Sequence, residues 1–141
     1  MISYSKQSIS KKDTLLVAKA LQKNLITTGD MVPKFENKIS NFVNSKFSVA
    51  VNSATSALHI SCMALNLKKN DYLWTSCNTF VASANCGVYC GAKIDLVDID
   101  PNDYNLSVDL LKKKLQKAKM KGKLPKIIIP CLLYTSPSPR D

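Results

Sequence analysis

Apolar positions along this chain follow two alternating patterns, a spacing of three to four residues in some stretches and short continuous runs in others. Over Lys11–Leu25, the residues Leu15, Ala18, Leu21 and Leu25 share one face and Ser10 stands where an N-cap belongs, which predicts a helix. Ile26–Val32 is a loop marked by Gly29. A second, shorter helix is predicted over Pro33–Val43, with Phe35, Ile39, Phe42 and Val43 facing inward. Phe47–Val51 reads as a short strand, and Ala54–Leu67 as a helix apolar on most sides, the pattern of a buried helix. Strands follow at Tyr72–Thr75, Lys93–Val97 and Lys126–Ile129, alternating with helices at Val81–Cys90 and Val108–Lys119. A loop at Ser76–Phe80 and a turn at Asp98–Asn105 connect them. Repeated strand–helix–strand units predict an α/β fold, a mostly parallel sheet with flanking helices, without an internal repeat or linker.

Composition narrows the function classes. The 141 residues carry a net charge of +10, and 45% of them are hydrophobic, as in a folded globular chain. Much of the charge lies in Lys112–Lys126, KKKLQKAKMKGKLPK. Val108, Leu111, Leu115 and Ala118 recur there at helical spacing, so the lysines fill the solvated face of a helix. No aromatic residue interleaves to stack on bases, which argues against a nucleic-acid groove. Five cysteines, an odd number, read as reduced and buried. His59 and Cys62 lie one helical turn apart, as do Cys86 and Cys90, but no CxxC pair exists and no metal is expected. No apolar run is long enough to span a membrane, and the start MISYSKQSISKKD lacks a signal-like apolar core. The expectation is a cytoplasmic protein with no membrane contact.

Two segments carry candidate chemistry. Asn52-Ser53-Ala54-Thr55-Ser56 stands at a strand-to-helix turn. A helix N-terminus offers free N–H groups and a positive dipole end, small residues allow close approach, and Ser53, Thr55 and Ser56 add hydroxyls. These features suit a phosphate, although the same residues also suit a plain N-cap. The segment is neither a P-loop nor a dinucleotide fingerprint, because the glycines are missing. The second segment is Thr79-Phe80-Val81-Ala82-Ser83, in the loop after the next strand, where the loops of a parallel sheet converge. Phe80 can stack on a flat ring held by the first turn, or it can pack in the core.

In this order and spacing the two segments resemble the DegT/DnrJ/EryC1/StrS family of nucleotide-sugar aminotransferases. The resemblance extends over Ser3–Pro130: Tyr4, LITTG at Leu25–Gly29, P-x-F-E at Pro33–Glu36, NSATSAL, TFVASAN at Thr79–Asn85, GAK-x-D-x-V-D-ID at Gly91–Asp100, and KIIIP at Lys126–Pro130. It implies part of the large domain of an aspartate aminotransferase-type (fold type I) transferase that depends on pyridoxal 5'-phosphate. By the same resemblance Ser53, Ala54 and Thr55 would bind the cofactor phosphate and Phe80 would stack on its pyridine ring. Tyr4, Asn24, Leu25, Ile26 and Thr27 would line the sugar-nucleotide pocket. Where many relatives have glycine before the phosphate-binding threonine, this chain has Ala54, which keeps the backbone donor. The implied reaction moves an amino group, with L-glutamate as the expected donor, to C4 of a UDP-linked 4-keto-6-deoxy sugar. A homodimer is the implied assembly.

The family's Schiff-base lysine, and the aspartate that pairs with the pyridine nitrogen, are expected beyond the KIIIP strand. No lysine here matches that position, so no catalytic residue is assigned. Residues 1–133 are therefore expected to be the amino-terminal part of the large domain. Tyr134–Asp141, YTSPSPRD, is expected to be a non-native tail, since it holds two of the six prolines and the only arginine, Arg140. Two alternatives remain: a sugar 3-dehydratase of the same family, in which histidine replaces the lysine, and a non-catalytic basic binding module.

Overall fold

A computed structural model describes residues 6–132; Tyr4 and the tail from Tyr134 lie outside the described residues. The chain forms two compact units, Met1–Ala50 and Val51–Asp141, a division that no linker composition announces. In the first unit, α1 spans Lys11–Leu21 and α2 spans Met31–Phe42. Ser10 caps α1 as expected, in a reciprocal pair with Asp13. Its Oγ accepts from the Asp13 N–H at 3.3 Å, and its own N–H donates to Asp13 Oδ2 at 2.8 Å.

α1 stops at Leu21, four residues short of the Leu25 that periodicity predicts, and Leu25 belongs to the following loop. A Cβ on Gly29 would stand 2.4 Å from the Leu25 carbonyl oxygen, so the loop closes backbone against backbone and only glycine fits. α2 begins two residues before Pro33. Proline is tolerated in a first turn because N–H groups there have no intrahelical partner.

The predicted strand Phe47–Val51 does not form: the segment pairs with no neighbour among the described residues, and Phe47 and Val49 are exposed. Extended backbone becomes a strand only when a second strand takes its N–H and C=O groups. One of those groups is nevertheless fixed, since the Ala50 N–H donates to Glu36 Oε1 of α2 at 2.8 Å. That bond gives the glutamate of the P-x-F-E motif a structural task.

The second unit contains α3 (Ala54–Ala64), β1 (Tyr72–Ser76), α4 (Ala82–Tyr89), β2 (Lys93–Val97), α5 (Val108–Met120) and β3 (Ile127–Ile129). The strands form a parallel sheet in the order β2-β1-β3, with Tyr72 opposite Lys93 and Leu73 opposite Ile127. Side chains alternate across it. One face sends Leu73, Ile94, Ile127 and Ile129 into a core with Cys62 of α3 and Cys86 of α4. The other sends Trp74, Val97 and Ile128 against Leu111, Leu115 and Ala118 of α5. The apolar side of the lysine-rich helix is thus buried on the sheet, as its spacing predicts. Helix α4 lies close to the sheet, and a Cβ on Gly87 would stand 2.6 Å from Ile94 Cδ1.

α3 ends sooner than Leu67 because Asn66 adopts φ 58° and closes a Schellman motif. The Leu67 N–H donates to the Cys62 carbonyl at 3.0 Å and the Asn66 N–H to Met63 at 2.8 Å. Only Cys62 of α3 is fully buried, whereas Met63 and Leu65 are exposed, so the all-round burial suggested by its composition is not reached. One side of the helix packs on α4 and the sheet.

Candidate active site

The amino end of α3 is built by a small hydrogen-bond network. Ser53 is extended (φ −158°, ψ 156°), so its side chain reaches over the first turn, and its Oγ accepts from the Ser56 N–H at 3.2 Å. Ser56 Oγ donates to Asn52 Oδ1 at 2.7 Å and lies 3.0 Å from Ser53 Oγ. Ser56 is therefore occupied inside the network and is not the free hydroxyl that the sequence suggests. The Ala57 N–H donates to the Ser53 carbonyl at 3.0 Å. The N–H groups of Ala54 and Thr55 precede the first intrahelical bond and have no partner among the described residues, and the half-buried Thr55 hydroxyl likewise makes no hydrogen bond among them. Two backbone donors and one hydroxyl thus stand free at the positive end of the helix dipole. This donor set fits a phosphate monoester, whose oxygens accept all three, and Ala54 adds only a methyl group in their way.

Connectivity places Phe80 at the same edge of the sheet. α3 delivers the chain to the amino end of β1, and α4 starts just beyond β1's carboxyl end. The turns that end the two helices meet, with the Asn70 N–H donating to the Gly91 carbonyl at 3.3 Å. α3 and α4 pack side by side, so both present their N-termini toward the carboxyl edge. Phe80 stands just before Val81, the N-cap of α4, and is 65% exposed, which removes the core-packing alternative for its ring. Thr75 Oγ1 donates to the Ile129 carbonyl at 2.7 Å, and the Cys131 N–H donates to Ser76 Oγ at 3.0 Å, tying β1 and β3 together at this edge.

Sequence reasoning passed over one pair here. Cys77 Sγ donates to Asp98 Oδ1 at 3.1 Å, and the Cys77 N–H donates to the Val97 carbonyl at 2.9 Å. The thiol proton and the Ile99 N–H hold the Asp98 carboxyl below its ordinary pKa, while the carboxylate pushes the exposed Cys77 thiol up. The acidic motif of Gly91–Asp100 contained the signal, but no periodicity announces which strand end faces which loop.

The predicted sugar-pocket residues belong to the first unit. Asn24 and Leu25 line a cleft of about 340 Å³ with Lys23, Thr28, Gly29 and Asp30. Leu25 and Ile26 line a smaller apolar one of about 180 Å³ against Leu21 and Met31. Thr27 is exposed and lines neither, and Tyr4 lies outside the described residues. Asp30 pairs with Lys23 and Lys34, whose ammonium groups hold its carboxyl down to about 2. His59 packs edge-on against Tyr89 with ring centroids 5.2 Å apart, and no group of three metal-binding side chains occurs among the described residues. Burial pushes the Cys62 thiol up to about 12, so it behaves as a small apolar side chain.

The family model for the DegT/DnrJ/EryC1/StrS aminotransferases matches residues 7–139. The chain belongs to that family. A UDP-4-amino-4,6-dideoxy-N-acetyl-beta-L-altrosamine transaminase from Campylobacter jejuni subsp. jejuni serotype O:23/36 (strain 81-176) is 38% identical over 117 residues, which are 83% of this chain and 31% of that protein. Among solved structures, a DegT DnrJ EryC1 StrS aminotransferase from Brucella abortus superposes with a TM-score of 0.77 at 27% identity, covering 87% of this chain and 34% of that one. The PMP form of a Streptococcus pneumoniae protein named as a sugar aminotransferase gives a TM-score of 0.79 at 27% identity, covering 92% of this chain and 31% of that one. The α/β family member described here therefore has the aminotransferase fold, and pyridoxal phosphate is the cofactor of such enzymes. The chain spans about a third of the length of the curated relatives it matches.

Proposed function

We propose that these residues form the cofactor-phosphate end of a pyridoxal-phosphate-dependent nucleotide-sugar aminotransferase. The observation that carries the reading is the free donor set of Ala54 N–H, Thr55 N–H and Thr55 hydroxyl, left open while Asn52, Ser53 and Ser56 satisfy one another. Ser53 holds the turn, Ala54 and Thr55 bind the phosphate, and Phe80 stacks on the pyridine ring. When bound, the cofactor supplies an electron sink for the carbon that gains or loses nitrogen. The chain's own contribution is to anchor the phosphate and orient the ring.

The whole protein, in this reading, aminates C4 of a UDP-linked 4-keto-6-deoxy sugar with L-glutamate as donor, in the cytoplasm and as a homodimer. The similarity to two Campylobacter jejuni transaminases, at 38% and 37% identity, supports a role in pseudaminic acid biosynthesis. Asn24–Thr27 and Tyr4 serve the sugar nucleotide, and the covalent cofactor lysine comes from outside these 141 residues.

The test incubates the complete polypeptide with pyridoxal phosphate, L-glutamate and a UDP-linked 4-keto-6-deoxy sugar, and identifies the product by mass and NMR. A 4-amino sugar is expected. A 3-deoxy product formed without net amination would replace the reading with dehydration, and no turnover of any keto sugar would end it.

A further inference from the structure

Phe80 is an exposed aromatic ring on a loop that is fastened at both ends. Ser83, only 8% exposed, grips it twice. Its N–H donates to the Phe80 carbonyl at 2.9 Å, and its Oγ accepts from Thr79 Oγ1 at 3.0 Å. At the other end the Cys77 N–H donates to Val97 at 2.9 Å and Cys77 Sγ to Asp98 at 3.1 Å. The Thr79 hydroxyl is not acting as a helix cap. The N-cap of α4 is Val81, and no side chain caps that helix. The Thr79–Ser83 bond instead spans Phe80, the one aromatic side chain between them. A ring whose backbone is fixed on both sides loses less conformational freedom when it meets a flat ligand.

We infer that Thr79 and Ser83 are positioning residues, which pre-set the Phe80 ring for stacking on the heteroaromatic ring of the cofactor. The inference rests on the cofactor-site reading above. It assigns these two residues no contact with the cofactor; they act only through Phe80.

The experiment titrates pyridoxal phosphate into the full chain, reading the dissociation constant and the circular dichroism induced in the cofactor's absorption band. Wild type is compared with Thr79→Val, Thr79→Ser, Phe80→Ala and the Thr79→Val/Phe80→Ala double variant. Thr79→Val should weaken binding about five-fold, the worth of one neutral hydrogen bond, and diminish the induced signal. Thr79→Ser should restore both. In the Phe80→Ala background Thr79→Val should change nothing further, since coupled residues are non-additive. Affinity for inorganic phosphate should be the same in wild type and Thr79→Val. Ser83→Ala, which removes the acceptor and keeps a good helix former, repeats the comparison if Thr79→Val does not fold. Equal binding and equal induced signal in wild type and Thr79→Val would overturn the positioning role and leave the cofactor site standing. Additive losses in the double variant would overturn it as well. A wild-type protein with no affinity for pyridoxal phosphate would instead defeat the cofactor-site reading itself.

Discussion

Thr55→Val separates phosphate recognition from helix stability at one position. The Thr55 hydroxyl makes no hydrogen bond among the described residues, the side chain is half-buried, and valine keeps its shape and β-branching. The thermal midpoint should therefore hardly move, within about 0.5 kcal/mol of wild type. A phosphate would lose one charge-assisted hydrogen bond, worth about 1.5–3 kcal/mol, so affinity for pyridoxal phosphate should fall roughly ten- to a hundred-fold. The two backbone donors and the helix dipole remain and keep binding measurable. Titration of pyridoxal phosphate followed by absorbance checks the first figure, and titration of pyridoxal, which lacks the phosphate, supplies the control. Ser53→Ala gives the contrast: it removes the oxygen that caps the Ser56 N–H at 3.2 Å and should cost about 1 kcal/mol of stability as well. A Thr55→Val protein that binds pyridoxal phosphate within two-fold of wild type would refute the phosphate assignment. So would an equal loss for pyridoxal.

Three further outcomes follow from the geometry. Leu73→Ala, at a fully buried position of β1 packed against α4, should cost about 2–5 kcal/mol in denaturant unfolding, monitored by the single tryptophan, Trp74, next to it in sequence. A cost below about 1 kcal/mol would mean that this core is not packed as described. The Asp13 carboxyl is held below the ordinary value of 3.8 by the Ser10 backbone N–H and hydroxyl, so its capping contribution is complete above that value. It is lost as pH falls through the lower folded value; the protection factors of amides at the start of α1, observed against intrinsic exchange at each pH, should fall in that acid range and be unchanged between pH 5 and 7. Finally, Asp98→Asn removes the charge that raises the Cys77 pKa, so alkylation of Cys77 by iodoacetamide near pH 8.5 should speed up several-fold. An unaltered rate would break the proposed link between the two side chains.

Much of the architecture was legible from residue pattern because local rules set it. β2 has the predicted bounds, Lys93–Val97, since an alternating apolar run between turns has little else to become. The Ser10 cap and the buried stripe of α5 follow likewise from a capping residue and a 3.6-residue period. Phe47–Val51 failed as a strand because pairing is a property of two segments, and its own residues cannot supply the second. The helix end at Ala64 was set by the left-handed Asn66, and the loop after α1 closes on Gly29, neither of which periodicity sees. At the site, the motif Asn52–Ser56 specified a helix N-terminus rich in small donors, a choice between cap and phosphate cradle that the sequence alone left even. Only the tertiary structure showed that Ser53 and Ser56 are consumed by their neighbours while Ala54 and Thr55 stay free. The same is true of Phe80. Its identity is in the sequence, but its exposure on a loop tied to Ser83 and near Asp98 depends on residues brought together by the parallel sheet.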